Sequence, residues 1–141
     1  MIAIGITIYN PNKEQIYRIN RLSERFKIYT YLNSDINEFL DLSITKLGDN
    51  SNKGVSKALN EMMTQAKIDG FNYIIFFDQD TSFELLNEHT IQKLLIEFKN
   101  DRLGAVGMKI SKFQETDIIT PYLITSGTVY SIEKSLKIGG F

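Results

Sequence analysis

The stretch from Phe71 to Thr81 constrains this chain more than any other. It follows Gly70, runs through Tyr73-Ile74-Ile75-Phe76-Phe77, and stops on Asp78-Gln79-Asp80. A continuous apolar run bounded by glycine and acid predicts a strand buried on both faces. Such a strand belongs in the middle of a parallel sheet covered by helices, and open sheets of this kind bind ligands beyond the carboxyl ends of their strands. Alternation along an extended chain points Asp78 and Asp80 to one side and Gln79 away. Two crowded carboxylates repel unless a cation lies between them. Hard oxygen ligands of this type suit Mg2+ or Mn2+, which bridge to phosphate oxygens. These few residues leave two readings open: a metal–phosphate site at a strand tip, or a polar strand terminus whose acids only cap the next helix.

The rest of the chain supplies the frame for such a strand. Ile2, Ile4, Ile6 and Ile8 predict a first strand within 1–9 that starts at residue 2, ended by Asn10-Pro11-Asn12. Asn12 can cap a helix over Lys13–Arg25, with Glu14 in its first turn and Ile16, Ile19 and Leu22 on one face. Phe26–Leu32 reads as a second strand, closed by Asn33-Ser34-Asp35. A short helix is expected around Asn37–Leu42 and a short strand over Ser43–Leu47. The polar run Gly48–Gly54 leads into a helix over Val55–Lys67, whose apolar face is Val55, Ala58, Leu59, Met62, Met63 and Ala66. After the acidic strand, Thr81 or Ser82 can cap a helix from about Glu84 to Lys99. Leu103–Ile110 then predicts a buried strand, 111–120 a loop, 119–131 a further strand or hairpin arm, and Ile132–Ile138 a short helix. Strands and helices alternate, so the expected class is α/β, with a doubly wound, mostly parallel sheet flanked by helices. Segments 9–12, 32–35 and 48–54 would gather with Asp78–Thr81 on one edge of that sheet.

Composition excludes several functions. With 141 residues, 43% of them hydrophobic, the chain suits one packed domain. A net charge of −1 argues against a nucleic-acid binder that relies on broad phosphate attraction. The absence of cysteine removes disulfides, thiolate metal sites and cysteine nucleophiles. No stretch approaches the roughly 18 apolar residues of a membrane helix.

Several motifs then appear in register: Ile8-Tyr9-Asn10-Pro11, Asn52-Lys53-Gly54 with Val55–Asn60, Phe77-Asp78-Gln79-Asp80-Thr81, Thr125-Ser126-Gly127-Thr128, and Gly139-Gly140-Phe141. In this order the chain resembles the family 2 glycosyltransferases, most of all the bacterial rhamnosyltransferase-like members. The resemblance implies a GT-A fold, Rossmann-like in its nucleotide-diphospho-sugar site, and inverting transfer of a sugar from a dTDP- or UDP-sugar. The acceptor would be a saccharide or lipid-linked hydroxyl in cell-surface polysaccharide synthesis. It implies that Tyr9, Asn10 and Pro11 line the base and ribose, and that Asn33, Asn52 and Gly54 belong to the donor site. Asp78 would face the ribose or sugar, Asp80 with Asp78 would hold Mg2+ or Mn2+, and Ser126 and Gly127 would lie near the donor sugar. The implied location is cytoplasmic, or peripheral at the inner face of the membrane.

The sequence departs from the family pattern in three places. Ile8 stands where threonine is usual. Tyr31-Leu32-Asn33-Ser34 replaces a run whose aspartate reads the base, which leaves Asp35 as a substitute. The family's acidic catalytic base follows the Gly-Gly-Phe motif, so the general base is expected beyond Phe141 and residues 1–141 are expected to form an incomplete GT-A domain. A domain of that kind would expose apolar surface and self-associate, and a donor-binding remnant without transfer activity is an alternative reading. Two other rivals share the acidic strand end. A haloacid-dehalogenase-type phosphatase wants that strand early in the chain and Gly-Thr after the acids. A receiver-like module wants an acidic pair after the first strand, where Tyr9-Asn10 stand. Elsewhere the simplest readings are structural: His89, Lys53 and Lys57 solvated, and Tyr29, Tyr31, Tyr73, Met62 and Met63 packed in the core.

Overall fold

The computed structural model describes residues 1–83, 86–108 and 125–141. Among these residues six strands form one mixed sheet in the order β3-β2-β1-β4-β6-β5: β1 (Ile2–Ile8), β2 (Ile28–Leu32), β3 (Thr45–Leu47), β4 (Tyr73–Asp78), β5 (Ala105–Gly107) and β6 (Thr128–Ser131). Strands β1 to β4 run parallel, and β6 is antiparallel to both β4 and β5. The chain winds outward from β1 through β2 to β3, then returns to place β4 on the other side of β1. The carboxyl ends of β1 and β4 therefore flank a topological switch point, where open α/β sheets form their ligand crevice.

Helices α1 (Lys13–Ser23), α2 (Val55–Ile68), α3 (Glu88–Glu97) and α4 (Ile132–Lys137) cover the sheet. On one face Ile4, Ile6 and Ile8 of β1 and Ile75 and Phe77 of β4 pack with Ile16, Ile19 and Leu22 of α1 and Ile91 of α3. On the other, Ala3, Tyr29, Tyr31, Ile74 and Phe76 pack with Ala58, Leu59, Met62, Met63 and Ala66 of α2 and Ile132 of α4. The period-2 alternation of the strands and the 3.6-residue stripe of α2 generate these two layers directly. Tyr29 and Tyr31 are buried, and the Tyr29 hydroxyl donates to Asp69 at 2.6 Å.

The ends of the elements follow local chemistry. Asn12 caps α1 through a reciprocal capping box with Gln15. Gly70, at φ +85°, closes α2: its N–H bonds Lys67 and that of Phe71 bonds Ala66, a Schellman arrangement. The α4 helix ends the same way, with Gly139 bonding Leu136 and Gly140 bonding Ser135.

Three expectations are corrected. No helix forms over 37–42. There the Asn20 amide donates to the Phe39 carbonyl and accepts from Asp41 N–H, and Asp41 takes the N–H and hydroxyl of Ser43. These bonds replace the i→i+4 ladder a helix would need. The helix expected from Glu84 starts at Glu88, capped by Asn87 rather than by Thr81 or Ser82. The strand expected to be buried over 103–110 is the half-exposed edge strand β5, with 109–110 outside the described residues, as are the loop 111–120 and residues 119–124 of the next segment. Among the described residues no helix is long and apolar enough to cross a membrane.

Candidate functional site

The carboxyl ends of β1, β2 and β4 and the loop after β3 are tied together by hydrogen bonds. The Asn33 N–H donates to the Ile8 carbonyl at 2.9 Å, extending the β1–β2 ladder by one step. Asn10 adopts a left-handed conformation (φ 45°) and donates its N–H to Ser34 Oγ at 2.7 Å. Asparagine tolerates this region better than most residues. The buried Asn33 side chain accepts from Lys53 N–H at 2.9 Å and so anchors the 48–54 loop. Asn52 Oδ1 accepts from Gly54 N–H at 3.0 Å. Gly54 (φ +82°) has open space where a Cβ would stand, so the glycine serves its backbone conformation. In the same loop Ser51 donates both its hydroxyl and its N–H to Asp49, which pushes that carboxyl down to about 2.

Asp78 ends β4, and Thr81 N–H bonds back to the Asp78 carbonyl at 3.0 Å, so Asp78–Thr81 is a tight turn. Ser126 Oγ accepts from Asp78 N–H at 3.2 Å and lies 3.1 Å from Thr81 Oγ1. Gly127 N–H bonds the Phe76 carbonyl at 2.8 Å, and Gly127 is buried with φ +80°. Arg18 of α1 reaches the Thr81 carbonyl at 3.4 Å. Asp78 and Asp80 are both exposed, and no hydrogen bond or ion pair to another described residue engages either carboxylate.

A cavity of about 230 Å³ opens beside this turn, lined among others by Thr7, Val55, Leu59, Phe76, Asp78 and Ser126. Asp80, Tyr9 and Asn52 are not among its walls. The cavity falls below the roughly 300–1,000 Å³ of drug-sized ligand pockets, so it can hold a sugar-sized part of a ligand while the rest lies along the open loops. Helix α2 begins at this cavity, with no acid in its first turn and no side chain on its cap. Its free N–H groups favour an anion there. A larger groove of about 570 Å³ runs along α2 past Lys57, Asn60 and Phe141. None of the acid-turn residues line it.

The residues fit a divalent ion in one particular way. Among the described residues no group of three or more His, Cys, Asp or Glu side chains could hold a metal. The described residues therefore build no cage of their own. Two free carboxylates on an open turn match the habit of Mg2+, which is held by one or two carboxylates plus substrate phosphates and water.

Comparison with solved structures gives the same architecture. A crystal structure of S. aureus TarS 1-349, a glycosyltransferase, matches with a TM-score of 0.65 and 14% identity over 97% of this chain and 48% of that one. The S. aureus TarS crystal structure matches at 0.68 and 13%, over 98% and 29%. TarS 1-349 in complex with UDP-GlcNAc matches at 0.67 and 13%, over 97% and 47%. The fold is GT-A-like. This chain spans about half or less of the length of each of those structures. No protein-family profile and no curated protein matches the sequence.

On this GT-A-like frame the motifs take definite places. Tyr9, Asn10, Asn33 and Asp78 meet at the β1/β2/β4 edge, with Asn52 and Gly54 joined to it through Asn33 and Lys53. Pro11 is half-buried behind Asn10. Reading the sequence missed three participants. Gln79 bonds both backbone groups of Tyr9, Ser34 holds Asn10, and Arg18 reaches Thr81. Alternation set Gln79 apart from the two acids but gave no sign that it bonds Tyr9, a partner 70 residues away.

Proposed function

We propose that this chain binds a nucleoside-diphosphate sugar at the β1/β4 switch point and belongs to a metal-dependent, family 2 glycosyltransferase. One observation carries the reading. An exposed acid turn, whose Asp78 and Asp80 carboxylates no other described residue engages, stands beside the Tyr9–Asn10 loop on a fold shared with TarS. A neighbour of that fold holds UDP-GlcNAc.

Tyr9, Asn10 and Pro11 take the base and ribose, with Asn33, Asn52 and Gly54 shaping the floor. The start of α2 and the Asp78–Asp80 turn take the diphosphate, and Ser126 and Gly127 flank the sugar. Asp78 and Asp80 would hold Mg2+ or Mn2+, which when bound would supply Lewis-acid stabilisation of the negative charge on the departing nucleotide. Asp78 and Asp80 orient the diphosphate, and Phe76 and Leu59 exclude water from the sugar side. An acceptor hydroxyl then attacks the anomeric carbon from the face opposite the leaving group, with inversion, and loses its proton to a general base. Rhamnose as the donor sugar and a saccharide or lipid-linked acceptor rest on the motif resemblance alone.

The test is a thermal-shift series with Mn2+, UDP, dTDP and GDP, each alone and each nucleotide with metal. The reading expects stabilisation only when metal and nucleoside diphosphate are both present, with the preferred base giving the largest shift. Equal shifts with and without metal, or none at all, contradict it.

A further inference from the structure

We propose that Gln79 is a positioning residue that fixes the base side of the site to the acid turn. The proposal rests on the donor-site reading above but on a separate observation. Gln79 Oε1 accepts from Tyr9 N–H at 2.7 Å, and Gln79 Nε2 donates to the Tyr9 carbonyl at 2.9 Å. A side-chain amide thus pairs with the main chain as a neighbouring strand would, one step beyond the last β1–β4 pair, Thr7↔Asp78. Tyr9 is half-exposed and has left the ladder, and the next residue, Asn10, sits at φ 45°. Left-handed backbone of this kind persists where its surroundings over-determine it. Here the determinants are two: Gln79 on Tyr9, and Ser34 Oγ on Asn10 N–H at 2.7 Å.

Gln79 also lies between Asp78 and Asp80 in the chain. The same residue that sets the Tyr9 backbone therefore moves with the acids. Any shift of the turn is passed to the Tyr9–Asn10 loop through two hydrogen bonds. Only an amide supplies a donor and an acceptor in this geometry without adding charge between the two carboxylates. Glutamate would keep the acceptor, lose the donor, and place a third negative charge in the turn.

The experiment compares wild type, Gln79→Leu and Ser34→Ala by residue-resolved amide exchange and by calorimetry with Mn2+–UDP and Mn2+–pyrophosphate. Circular dichroism confirms that each variant folds. In Gln79→Leu the Tyr9 amide should exchange about tenfold faster, the effect of losing roughly one net hydrogen bond, while Thr81, bonded to Asp78, stays protected. Mn2+–UDP should bind about tenfold more weakly and Mn2+–pyrophosphate within about twofold of wild type, because only the base side is released. Ser34→Ala, which does not touch the acid turn, should weaken UDP binding in the same selective way. A Tyr9 amide unchanged in Gln79→Leu overturns the proposal, as does a parallel loss of both ligands. If wild type binds neither ligand, the donor-site reading falls and takes the ligand half of this proposal with it. The exchange arm still decides whether Gln79 sets the loop.

Discussion

The two faces of the sheet are built to different specifications. The α1/α3 face is largely aliphatic and closed around Ile6: Ile4, Ile6, Ile8, Ile16 and Ile19 are buried in it, and Phe77 at the end of β4 is its contribution to the cavity wall. The α2/α4 face mixes alanine, methionine and aromatic rings, and toward the carboxyl ends of its strands it opens into the cavity beside Asp78. Gly5 shows the difference most clearly. A Cβ there would stand 2.6 Å from the Phe76 ring, so the absence of a side chain is what lets that ring lie across β1. Phe76 is in turn held by Tyr130 and Phe141, whose ring centroids lie 5.8 Å away, and it forms a wall of the cavity. Ile6 and its aliphatic neighbours supply stability away from the cavity, while Gly5 and Phe76 couple stability to the shape of the site.

The largest effect is expected on the closed face. Ile6→Ala should cost about 2–5 kcal/mol by lost transfer energy and an unfilled cavity. In denaturant melts it should leave ligand affinity intact once the protein is folded. Gly5→Ala should cost less, about 1–3 kcal/mol, by overpacking against Phe76. It should also weaken nucleotide binding, because the displaced ring is a cavity wall. If Gly5→Ala destabilises without touching binding, the two faces do not differ in the way described.

The smallest effect is a pH dependence on the open edge. The Asp49 carboxyl lies at about 2 in the folded protein against an ordinary 3.8, held there by Ser51. A depressed carboxyl contributes stability that is fully present above its unfolded value and lost as pH falls toward the folded one. Wild type and Ser51→Ala should therefore differ at pH 5 and converge between about pH 4 and pH 2, as followed by melting curves. A difference that persists at the acid end would remove Asp49 from the loop's stability.

The same contrast explains what was legible in the sequence. Isoleucines at alternate positions of β1, the Asn12 cap, the α2 stripe and the Phe71–Asp80 run each carry their own local signal. They sufficed for the α/β class and for placing the Tyr9–Asn10 loop beside the acid turn, with the 32–35 and 48–54 segments linked to that loop in series. What escaped depends on partners distant in sequence. Asn20 reaches across to Phe39 and Asp41 and replaces the expected helix. Thr81 is engaged by Ser126, which leaves capping to Asn87. The antiparallel direction of β6 is set by its pairing between β4 and β5, which no local pattern encodes. Ser126, expected beside the sugar, also bonds the acid turn itself.

The central claim is that the Asp78 and Asp80 carboxylates, exposed and engaged by no other described residue, serve to bind a divalent ion together with a nucleotide's diphosphate. Calorimetric titration of UDP with and without Mn2+, on wild type and on Asp80→Asn, tests it most directly. The account predicts wild-type binding that requires Mn2+, and a loss of tenfold or more in Asp80→Asn, about 1.4 kcal/mol or greater. Metal-independent binding of equal strength, or an Asp80→Asn variant that binds Mn2+–UDP as wild type does, would contradict it.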